Sequence, residues 1–492
     1  KKMNRKTEIA LRELEILYSF AEEEGIQFPK EKLFELWEIL LRNQFHDIIP
    51  GSSIKEVYQD HKQEFAKVTE EIQRLFQQLD EDTENLLLVN TAAWNRDTLV
   101  VLPEKSADCY QDEIGNIFTT VRTKEHKYLH VPAMNALSDL LLIPTTTGEK
   151  LSSVTGKIES NQIETTHYIL QWDESGHFTR LYDKDYHREV LKGKGNQIQI
   201  FEDKPKDYDA WDIDIFYQEK MRSIPFTEWK VTENNMFFIE ITFKSTIGES
   251  KLVQKVRLYT HSRRIDFITD VDWTERQRLL KVSFEIAVRS TEATYDIQYG
   301  NVKRPTHWNT SWDMAKFETV GHQWADLSER DYGVSLMNDC KYGYDIKGNV
   351  MRLSLLKGGI YPDLTADIGH HRFTYSLLPH TGDFVVGQTV QEAWEVNAPL
   401  TVLKRDRSLL SKLDITTDGG IAIDAIKKAE DDDGFIIRLH DYSGGRSKFK
   451  LTGKQDLLWN QTNLLEMNES DVTNEALGFT IYPYEVRTLR FH

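Results

Sequence analysis

The feature of this sequence that most constrains its fold is a change of hydrophobic period at the acidic residues Asp80, Glu81 and Asp82. Before them, apolar residues recur every three or four positions, as they do on one face of an α-helix. After them, short apolar runs separated by turn-forming residues continue to the C-terminus, a pattern typical of antiparallel strands. The sequence therefore predicts a multidomain chain that is helical at its start and mainly β afterwards.

Three helices are predicted before residue 82. They run from Arg5 to about Glu24, from Pro29 to the region of His46, and from Ser53 to about Leu79. Ser53 and Glu56 have the spacing of a capping box, which predicts where the third helix begins. Because the connections are short, we expect residues 1–82 to form an antiparallel three-helix bundle.

Antiparallel β-sandwiches are predicted for residues 83–398 and, in a smaller unit, for 399–492. Pro399 and the polar run from Lys404 to Ser411 mark the boundary between them, and Ala429 to Gly434 is predicted to be an exposed hairpin or loop. The predicted strands include Leu86 to Val89, Thr98 to Leu102, Asn196 to Phe201, Met236 to Phe243, Leu252 to Tyr259, Arg264 to Trp273, Leu279 to Ile286 and Phe435 to His440.

Composition narrows the class of protein. The net charge is -18 and no basic face is clustered, so nucleic acid is not an expected partner. The mean hydropathy is -0.53 and no apolar run approaches the length of a membrane span, so no membrane association is expected. Two cysteines, Cys109 and Cys340, predict neither a disulfide framework nor a cysteine zinc cage and favour a cytoplasmic location. The first residues enter a helix pattern without a capping signal, so we expect the chain to begin within a larger protein.

The polar segment from Arg42 to Ser53 interrupts the helical pattern and contains His46 and Asp47, which are predicted to lie in the last turn of the second helix. One interpretation is structural, because a histidine interacts favourably with the C-terminal end of a helix dipole and an aspartate bonds nearby backbone. The other is metal binding. Since no paired metal-ligand motif lies nearby, the local sequence favours the structural interpretation.

Three further segments are candidate sites. Tyr208 to Asp214 combines Trp211 with several carboxylates, which suits sugar recognition or an ordinary solvated loop. Arg304 to Asp313, with the nearby Trp324, is predicted to be a buried polar network or the wall of a cleft. Asp363, Asp367, His370 and His371 suit a metal site, although a loop fixed by hydrogen bonds is the commoner outcome. Serine-nucleophile, phosphate-loop and dinucleotide motifs are absent from the sequence.

Several of these segments together resemble a known family. The segments are Gln44 to Ser53, Tyr208 to Ile213, Arg304 to Asp313, Leu336 to Tyr344 and Ala366 to Phe373. In this order they are similar to glycoside hydrolase family 38 alpha-mannosidases of the bacterial and cytosolic branch. The resemblance implies that residues 83–398 form a galactose-mutarotase-like supersandwich. It also implies that the chain corresponds to the part of such an enzyme that follows the catalytic barrel.

The resemblance changes the interpretation of His46, which is similar to the last zinc ligand of the family. Asp47 would support that ligand or contact substrate, while Trp211, Arg304, Asp367 and His371 become candidates for the substrate cleft. The implied activity is retaining, zinc-dependent hydrolysis of mannosyl oligosaccharides. The catalytic nucleophile and the remaining zinc ligands would lie on the missing N-terminal barrel domain, so the isolated chain is expected to be inactive.

One position departs from the family pattern, since Trp308 stands where an arginine is usual. Any role of that arginine in anchoring a hydroxyl is therefore in doubt, although an indole can stack on a sugar instead. The competing hypothesis is a non-catalytic carbohydrate-binding or scaffold protein that uses Trp211, Trp312 or Trp324. The sequence leaves open whether the chain forms a homo-oligomer.

Overall fold

The structure, a computed structural model, describes residues 1–147, 154–410, 414–417, 419–431, 434–452, 458–474 and 476–492. These residues form mostly β-sheets with few helices, as the change of hydrophobic period predicts. Ser411, the end of the predicted polar run, and part of the predicted loop from Ala429 to Gly434 lie outside the described residues. None of the described helices is both long enough and apolar enough to cross a membrane.

The three predicted helices are present as α1 (Lys2–Ala21), α2 (Lys30–Arg42) and α3 (Lys55–Gln78), and a 3₁₀ turn at Glu22–Glu24 follows α1. Gly25 ends this first helical segment with a φ of 86°, a left-handed conformation that glycine adopts without steric cost. The predicted capping box at the start of α3 is wrong. Ile54 occupies the cap position and makes no side-chain cap bond, while the Ser53 amide donates to the Tyr58 hydroxyl instead.

The second half of the chain adds a four-residue helix, α4 (Ser311–Met314), and α5 (Thr389–Asn397), neither of which the sequence predicted. A 3₁₀ helix lies at Ile215–Glu219. The strands up to residue 202 are β1 (Leu86–Asn90), β2 (Arg96–Leu102), β3 (Cys109–Gln111), β4 (Ile117–Arg122), β5 (Lys127–Met134), β6 (Ser138–Pro144), β7 (Lys157–Glu159), β8 (Gln162–Glu164), β9 (Tyr168–Trp172), β10 (Phe178–Asp183), β11 (Arg188–Glu189) and β12 (Gln197–Glu202).

The remaining strands are β13 (Met221–Ile224), β14 (Glu228–Asn234), β15 (Phe238–Ile247), β16 (Ser250–Tyr259), β17 (Ile265–Trp273), β18 (Arg278–Glu285), β19 (Glu292–Ile297), β20 (Gly300–Pro305), β21 (Thr319–Val320), β22 (Trp324–Ser328), β23 (Tyr332–Asn338), β24 (Gly343–Lys347), β25 (Val350–Lys357) and β26 (Gly369–Thr381). They continue with β27 (Thr401–Leu403), β28 (Asp414–Thr417), β29 (Ile421–Lys428), β30 (Phe435–Asp441), β31 (Ser447–Thr452), β32 (Trp459–Thr462), β33 (Gly478–Ile481) and β34 (Val486–Phe491).

The predicted strands are confirmed, with ends that differ by a few residues. The largest difference is in β15, which runs to Ile247 rather than ending at Phe243. It continues because Lys244 and Thr246 point outward between buried residues, so the alternating pattern persists until the turn at Gly248.

Two large sheets dominate the middle of the chain. A nine-stranded sheet has the order β14-β15-β16-β17-β26-β23-β22-β19-β20, and a six-stranded sheet has the order β13-β12-β18-β25-β24-β21. Their facing side chains share one apolar core, in which Phe267 stacks on Tyr375 with ring centroids 4.8 Å apart. A five-stranded sheet, β11-β10-β9-β8-β7, adds Trp172 and Phe178 to the same core. This core fixes the sheet edges from which the candidate-site loops extend.

A second core joins the helices to the end of the chain. It contains apolar residues of α1, α2 and α3 together with residues of β1, β27 and the C-terminal sheets β29-β30-β34-β32 and β28-β31-β33. Strand β27 also completes the sheet β2-β5-β4-β3-β6-β1-β27 by pairing with β1, where Leu403 lies opposite Leu87. Packing therefore continues across residues 82 and 398, and the division into three domains stays a prediction.

Arg405 anchors the helices to the segment that directly follows β27. Its side chain is fully buried, and it donates a hydrogen bond to the Leu79 carbonyl at 3.0 Å. It also pairs with Glu24, and Glu81 lies 3.6 Å away. Arg407 pairs with the same two carboxylates at 3.4 and 3.5 Å, but its side chain is 64% exposed. The two arginines differ mainly in burial.

We expect Arg405→Ala to lower the free energy of unfolding of the helix-containing core by about 3 kcal/mol, because Glu24 loses its buried partner. Arg407→Ala is the matched control and should cost less than about 1 kcal/mol, since exposed pairs contribute little. Urea titration followed by circular dichroism at a helix wavelength measures both. Equal losses for the two variants would show that Arg405 is not the anchor.

Candidate functional site

His46 lies in a series of tight turns beyond α2 and not, as predicted, in the last turn of the helix. The helix ends at Arg42, and the amide of Phe45 bonds the Arg42 carbonyl at 3.2 Å. The Ile48 and Ile49 amides then both bond the Phe45 carbonyl, at 2.8 and 3.1 Å. The predicted position of His46 in the last turn of the helix is therefore wrong, and its interaction with the helix dipole stays a prediction.

Asn43 fixes the start of this turn against the third helix. Its buried amide donates to the Ile39 carbonyl at 2.9 Å and to Glu64 at 2.7 Å, and its oxygen lies 2.7 Å from His61 Nδ1. Burial lowers the pKa of the His61 imidazole, which favours the neutral form. Because the Asn43 side chain bonds both α2 and α3, it fixes the direction in which the turn leaves α2.

Tyr58 fixes the other end of the same turn. Its hydroxyl accepts from the Ser53 amide at 2.9 Å and lies 3.3 Å from the carbonyl oxygens of both Asp47 and Ile48. Burial raises the pKa of Tyr58, and the negative charges of Asp367 and Asp363 add to the rise. The loop that contains these two aspartates therefore lies close to the turn.

The His46 side chain projects from the turn between two aromatic rings. The Phe45 centroid is 4.2 Å from the imidazole centroid, and the Trp211 ring is 6.5 Å away at an interplanar angle of 30°. His46 Nε2 lies 3.4 Å from the Asp47 carboxylate, and the His46 side chain is 68% exposed. The structure thus brings His46, Asp47 and Trp211 together on the surface, although they are far apart in the sequence.

A strained turn presents Trp211 to His46. Tyr208 has a φ of 51°, which is uncommon for a bulky residue, and its carbonyl accepts from the Trp211 amide at 2.7 Å. The neighbouring Asp209 carboxylate accepts from the backbone amides of Ile360 and Tyr361, so this turn is joined to the loop before residue 363. Strain held by such bonds is common at functional sites.

The loop from Asp363 to His371 is fixed by hydrogen bonds, as the commoner of the two interpretations predicted. Asp363 accepts from the amide and hydroxyl of Thr365 at 2.8 Å each, and His371 Nε2 lies 2.6 Å from the Asp367 carbonyl. His370 instead lies 3.0 Å from Asp272 on the neighbouring strand. Burial lowers the pKa of His371. The charge of Asp367 is near enough to Tyr58 to raise the pKa of its hydroxyl, and His371 is bonded to the Asp367 carbonyl.

Arg304 makes its described contacts elsewhere. Its guanidinium donates to the Val320 carbonyl at 2.8 Å and lies over the Tyr295 ring, 4.5 Å from the centroid. One face of Trp308 is covered by the Lys347 ammonium at 3.2 Å from the ring centroid. Trp312 is 82% exposed, whereas Trp324 is 2% exposed and stacks on Phe384. No contact of the Arg304 side chain among the described residues reaches the three loops around His46, namely the turn of His46 itself, the turn of Trp211 and the loop after residue 360.

Sequence reasoning assigned no positioning role to Asn43, Tyr58, His61 or Asp209. Each acts by bonding the backbone or a side chain of another segment, and no spacing pattern in the sequence predicts such bonds. The available signal was position, since Asn43 and Asp209 lie within two of the predicted candidate segments.

The donors at this site do not by themselves suit a zinc ion. Zinc sites in proteins use four ligands, or three and a water, whereas His46 and Asp47 supply at most two. In the part of the chain that the structure describes, no group of three or more histidine, cysteine, aspartate or glutamate side chains could hold a metal. Cys109 and Cys340 are both free thiols.

Comparison with known proteins assigns the chain to a family. The sequence profile of the alpha mannosidase middle domain matches residues 1–81, and that of the glycosyl hydrolases family 38 C-terminal domain matches residues 163–365. The profile of the family 38 C-terminal beta sandwich domain matches residues 420–489. The chain belongs to glycosyl hydrolase family 38. His46 lies within the match to the middle domain, and Trp211 lies within the match to the C-terminal domain.

Curated relatives of this family 38 chain include Alpha-mannosidase G of Dictyostelium discoideum, 32% identical over 100% of this chain and 51% of the relative. The human Alpha-mannosidase 2C1 is 32% identical over 90% of this chain and 44% of the relative. The chain spans about half the length of these relatives. An alpha-mannosidase structure from Enterococcus faecalis V583 superposes with a TM-score of 0.81 at 18% identity, covering 100% of this chain and 67% of that one. This likeness shows a shared fold.

We expect Tyr58→Phe to loosen the turn that presents His46, because the Ser53 amide loses its acceptor. A lost hydrogen bond of about 1 kcal/mol corresponds to roughly fivefold faster opening. Hydrogen–deuterium exchange of the amides in residues 46–53 measures the change. Tyr361→Phe, at an exposed tyrosine, is the matched control and should leave exchange in this segment unaltered. Unchanged exchange in Tyr58→Phe would show that Tyr58 does not fix the turn.

Proposed function

We propose that this chain is the middle and C-terminal part of a retaining, zinc-dependent alpha-mannosidase that hydrolyses mannosyl oligosaccharides. The observation that carries the proposal is the exposed His46, which lies beside Asp47 and Trp211 on a turn that Tyr58 fixes. Relatives named alpha-mannosidase support the substrate class, and each of them extends well beyond the length of this chain.

The surface around His46 supports a further domain in the whole protein. The three loops that meet there expose large apolar side chains, namely Phe45, Ile54, Trp211, Tyr361 and Leu364. Large exposed apolar patches are rare on monomeric proteins and often mark interaction sites. We propose that a barrel domain outside this chain covers this surface and supplies the catalytic nucleophile. The isolated chain would then be inactive.

His46 would provide one ligand of the zinc site and the barrel domain the others, since this chain alone does not complete the site. Asp47, 3.4 Å from Nε2, would orient the imidazole, because carboxylates commonly hold metal-binding histidines in place. Trp211 would stack on a mannose ring, and Asp367 with His371 would border the cleft. Arg304 stays a sequence-based candidate for the cleft. The β region would be the galactose-mutarotase-like supersandwich of the family, and the cytoplasmic location stays a prediction.

In the full-length protein, we expect His46→Ala to lower both zinc content and the rate of aryl alpha-mannoside hydrolysis. The loss in rate should exceed the roughly 10- to 100-fold effect of removing a residue that only supports a ligand, as in Asp47→Asn. His126→Ala, at another exposed histidine, is the control and should change neither quantity. Metal analysis of the purified variants and initial-rate assays make both measurements.

Two results would contradict the proposal. One is unchanged zinc content in His46→Ala, which would leave this histidine with only a structural role. The other is hydrolysis by the isolated chain, or by the full-length protein after treatment with a chelator. Either kind of activity would place the chemistry on residues other than those proposed here.

The exposed Trp312 and Trp211 favour a second candidate, a non-catalytic carbohydrate-binding protein. Trp324 no longer supports it as a surface contact, because its ring is buried against Phe384. Glycan-array binding by the full-length protein, without any mannoside hydrolysis, would favour this candidate. Homo-oligomer formation stays open in both cases.

A further inference from the structure

A large cavity lies where the helices, the nine-stranded sheet and the C-terminal sandwich meet. Its volume is about 580 Å³, within the roughly 300–1,000 Å³ typical of ligand pockets. Side chains of α1 and α2 form one wall, residues of β19, β22 and α5 form another, and β29 and β30 close the third. Neither His46 nor Trp211 lines it.

Aromatic side chains form much of the cavity wall. The indole rings of Trp94 and Trp394 pack edge to face, with centroids 6.0 Å apart. The Arg12 guanidinium lies over Trp394 at 5.1 Å from the ring centroid. Tyr299, which follows β19 and also lines the cavity, is nearly half exposed. Flat apolar rings beside polar groups suit a ligand that has both apolar and hydroxyl-bearing faces.

Polar groups with free bonding capacity also face this cavity. Asp296 accepts a bond from the Gln323 amide through Oδ2 at 2.8 Å, and its Oδ1 has no donor in the described part of the chain. Glu15 accepts from the Trp37 indole at 3.0 Å through one of its two carboxylate oxygens. Burial raises the pKa of both carboxyl groups to about 7, so each can donate or accept a hydrogen bond near neutral pH.

The charges around the cavity balance each other when its carboxyl groups are ionised. Its cationic side chains are Arg5, Arg12, Lys427 and Arg438. Its anionic side chains are Glu8, Glu15, Asp296 and Asp424. Arg5 is further occupied by bonds to Asn338, Asn397 and the His322 carbonyl. A balanced lining with occupied arginines gives no strong field for an anion, so a neutral polar ligand suits it better than a phosphorylated one.

We propose that this cavity binds a short neutral saccharide, with Tyr299 and Trp394 stacking on its rings and Asp296 bonding its hydroxyl groups. The volume, the aromatic walls and the free carboxylate oxygen together carry this assignment. It needs no metal and no barrel domain, so it stands or fails separately from the zinc proposal.

The cavity is also joined to the turn that presents His46. Glu8, on the cavity wall, accepts a hydrogen bond from Gln44 at 3.2 Å, and Gln44 lies two residues before His46. A saccharide held in the cavity would therefore lie against α1, the helix that bonds the turn of His46 through Glu8.

The test is calorimetric titration of the purified chain with an α-linked mannose disaccharide at about pH 8.5, where Asp296 is mainly ionised. We expect saturable binding with a dissociation constant of about 1 mM or tighter. Asp296→Asn and Tyr299→Ala should each weaken binding at least about tenfold, since each removes a contact to the sugar. Circular dichroism of each variant confirms that it is folded.

Two control variants locate the binding. Asp331→Asn removes a carboxylate from the exposed surface and should leave the affinity within about twofold. Phe216→Ala, at an exposed ring that does not line the cavity, should also leave it unchanged. Inorganic phosphate, titrated in place of the disaccharide, should give no saturable binding.

Three results would overturn the assignment. The first is no saturable binding of the disaccharide, and the second is binding that Trp211→Ala abolishes while Asp296→Asn preserves it. The third is saturable binding of phosphate that Asp296→Asn strengthens, which would identify an anion site. None of these results bears on zinc content or hydrolysis in the full-length protein.

Discussion

The structure depends on two buried arginines of α1. Arg5 reaches the main β region, where it bonds Asn338, Asn397 and the His322 carbonyl. Arg12 bonds the Thr91 hydroxyl at 3.0 Å and the Ile423 carbonyl of the C-terminal sandwich at 2.7 Å. Burying a guanidinium is costly unless most of its donors are bonded, so these bonds allow little variation in where the helix lies. Because α2 and α3 pack on α1, the same bonds set the position of the turn that carries His46.

The candidate site is built from loops, but each loop is tied to a rigid element. Asn43 bonds the turn to α3, Tyr58 closes its far end, and Asp209 joins the Trp211 turn to residues 360 and 361. Functional side chains are often presented in this way, since loops tolerate unusual backbone conformations and the scaffold limits their motion. The result is an exposed imidazole whose surroundings are defined although it has few contacts of its own.

The cavity and the turn of His46 are linked through Glu8 of α1, which lines the cavity and bonds Gln44 of the turn. Their chemistry differs. At the turn, exposed apolar rings surround one histidine and one carboxylate. In the cavity, buried carboxyl groups with raised pKa values lie among aromatic rings and balanced charges. The net charge of -18 does not predict the local electrostatics of either place. Local burial and pairing, rather than the total charge, decide which ligands each can accept.

The sequence by itself determined the order of secondary structure, because helical and strand periods differ and each must bury its own apolar side chains. It placed the ends of the eight strands that it predicted to within a few residues, and the shared motifs determined the family. The capping box at Ser53, the end of α2 and the existence of α5 were not determined, since competing local bonds decided them. Only the tertiary structure placed Trp211 beside His46 and brought Glu15 and Asp296 to one cavity. These residues are distant in sequence, and their contacts arise from how cores pack, which no local pattern encodes.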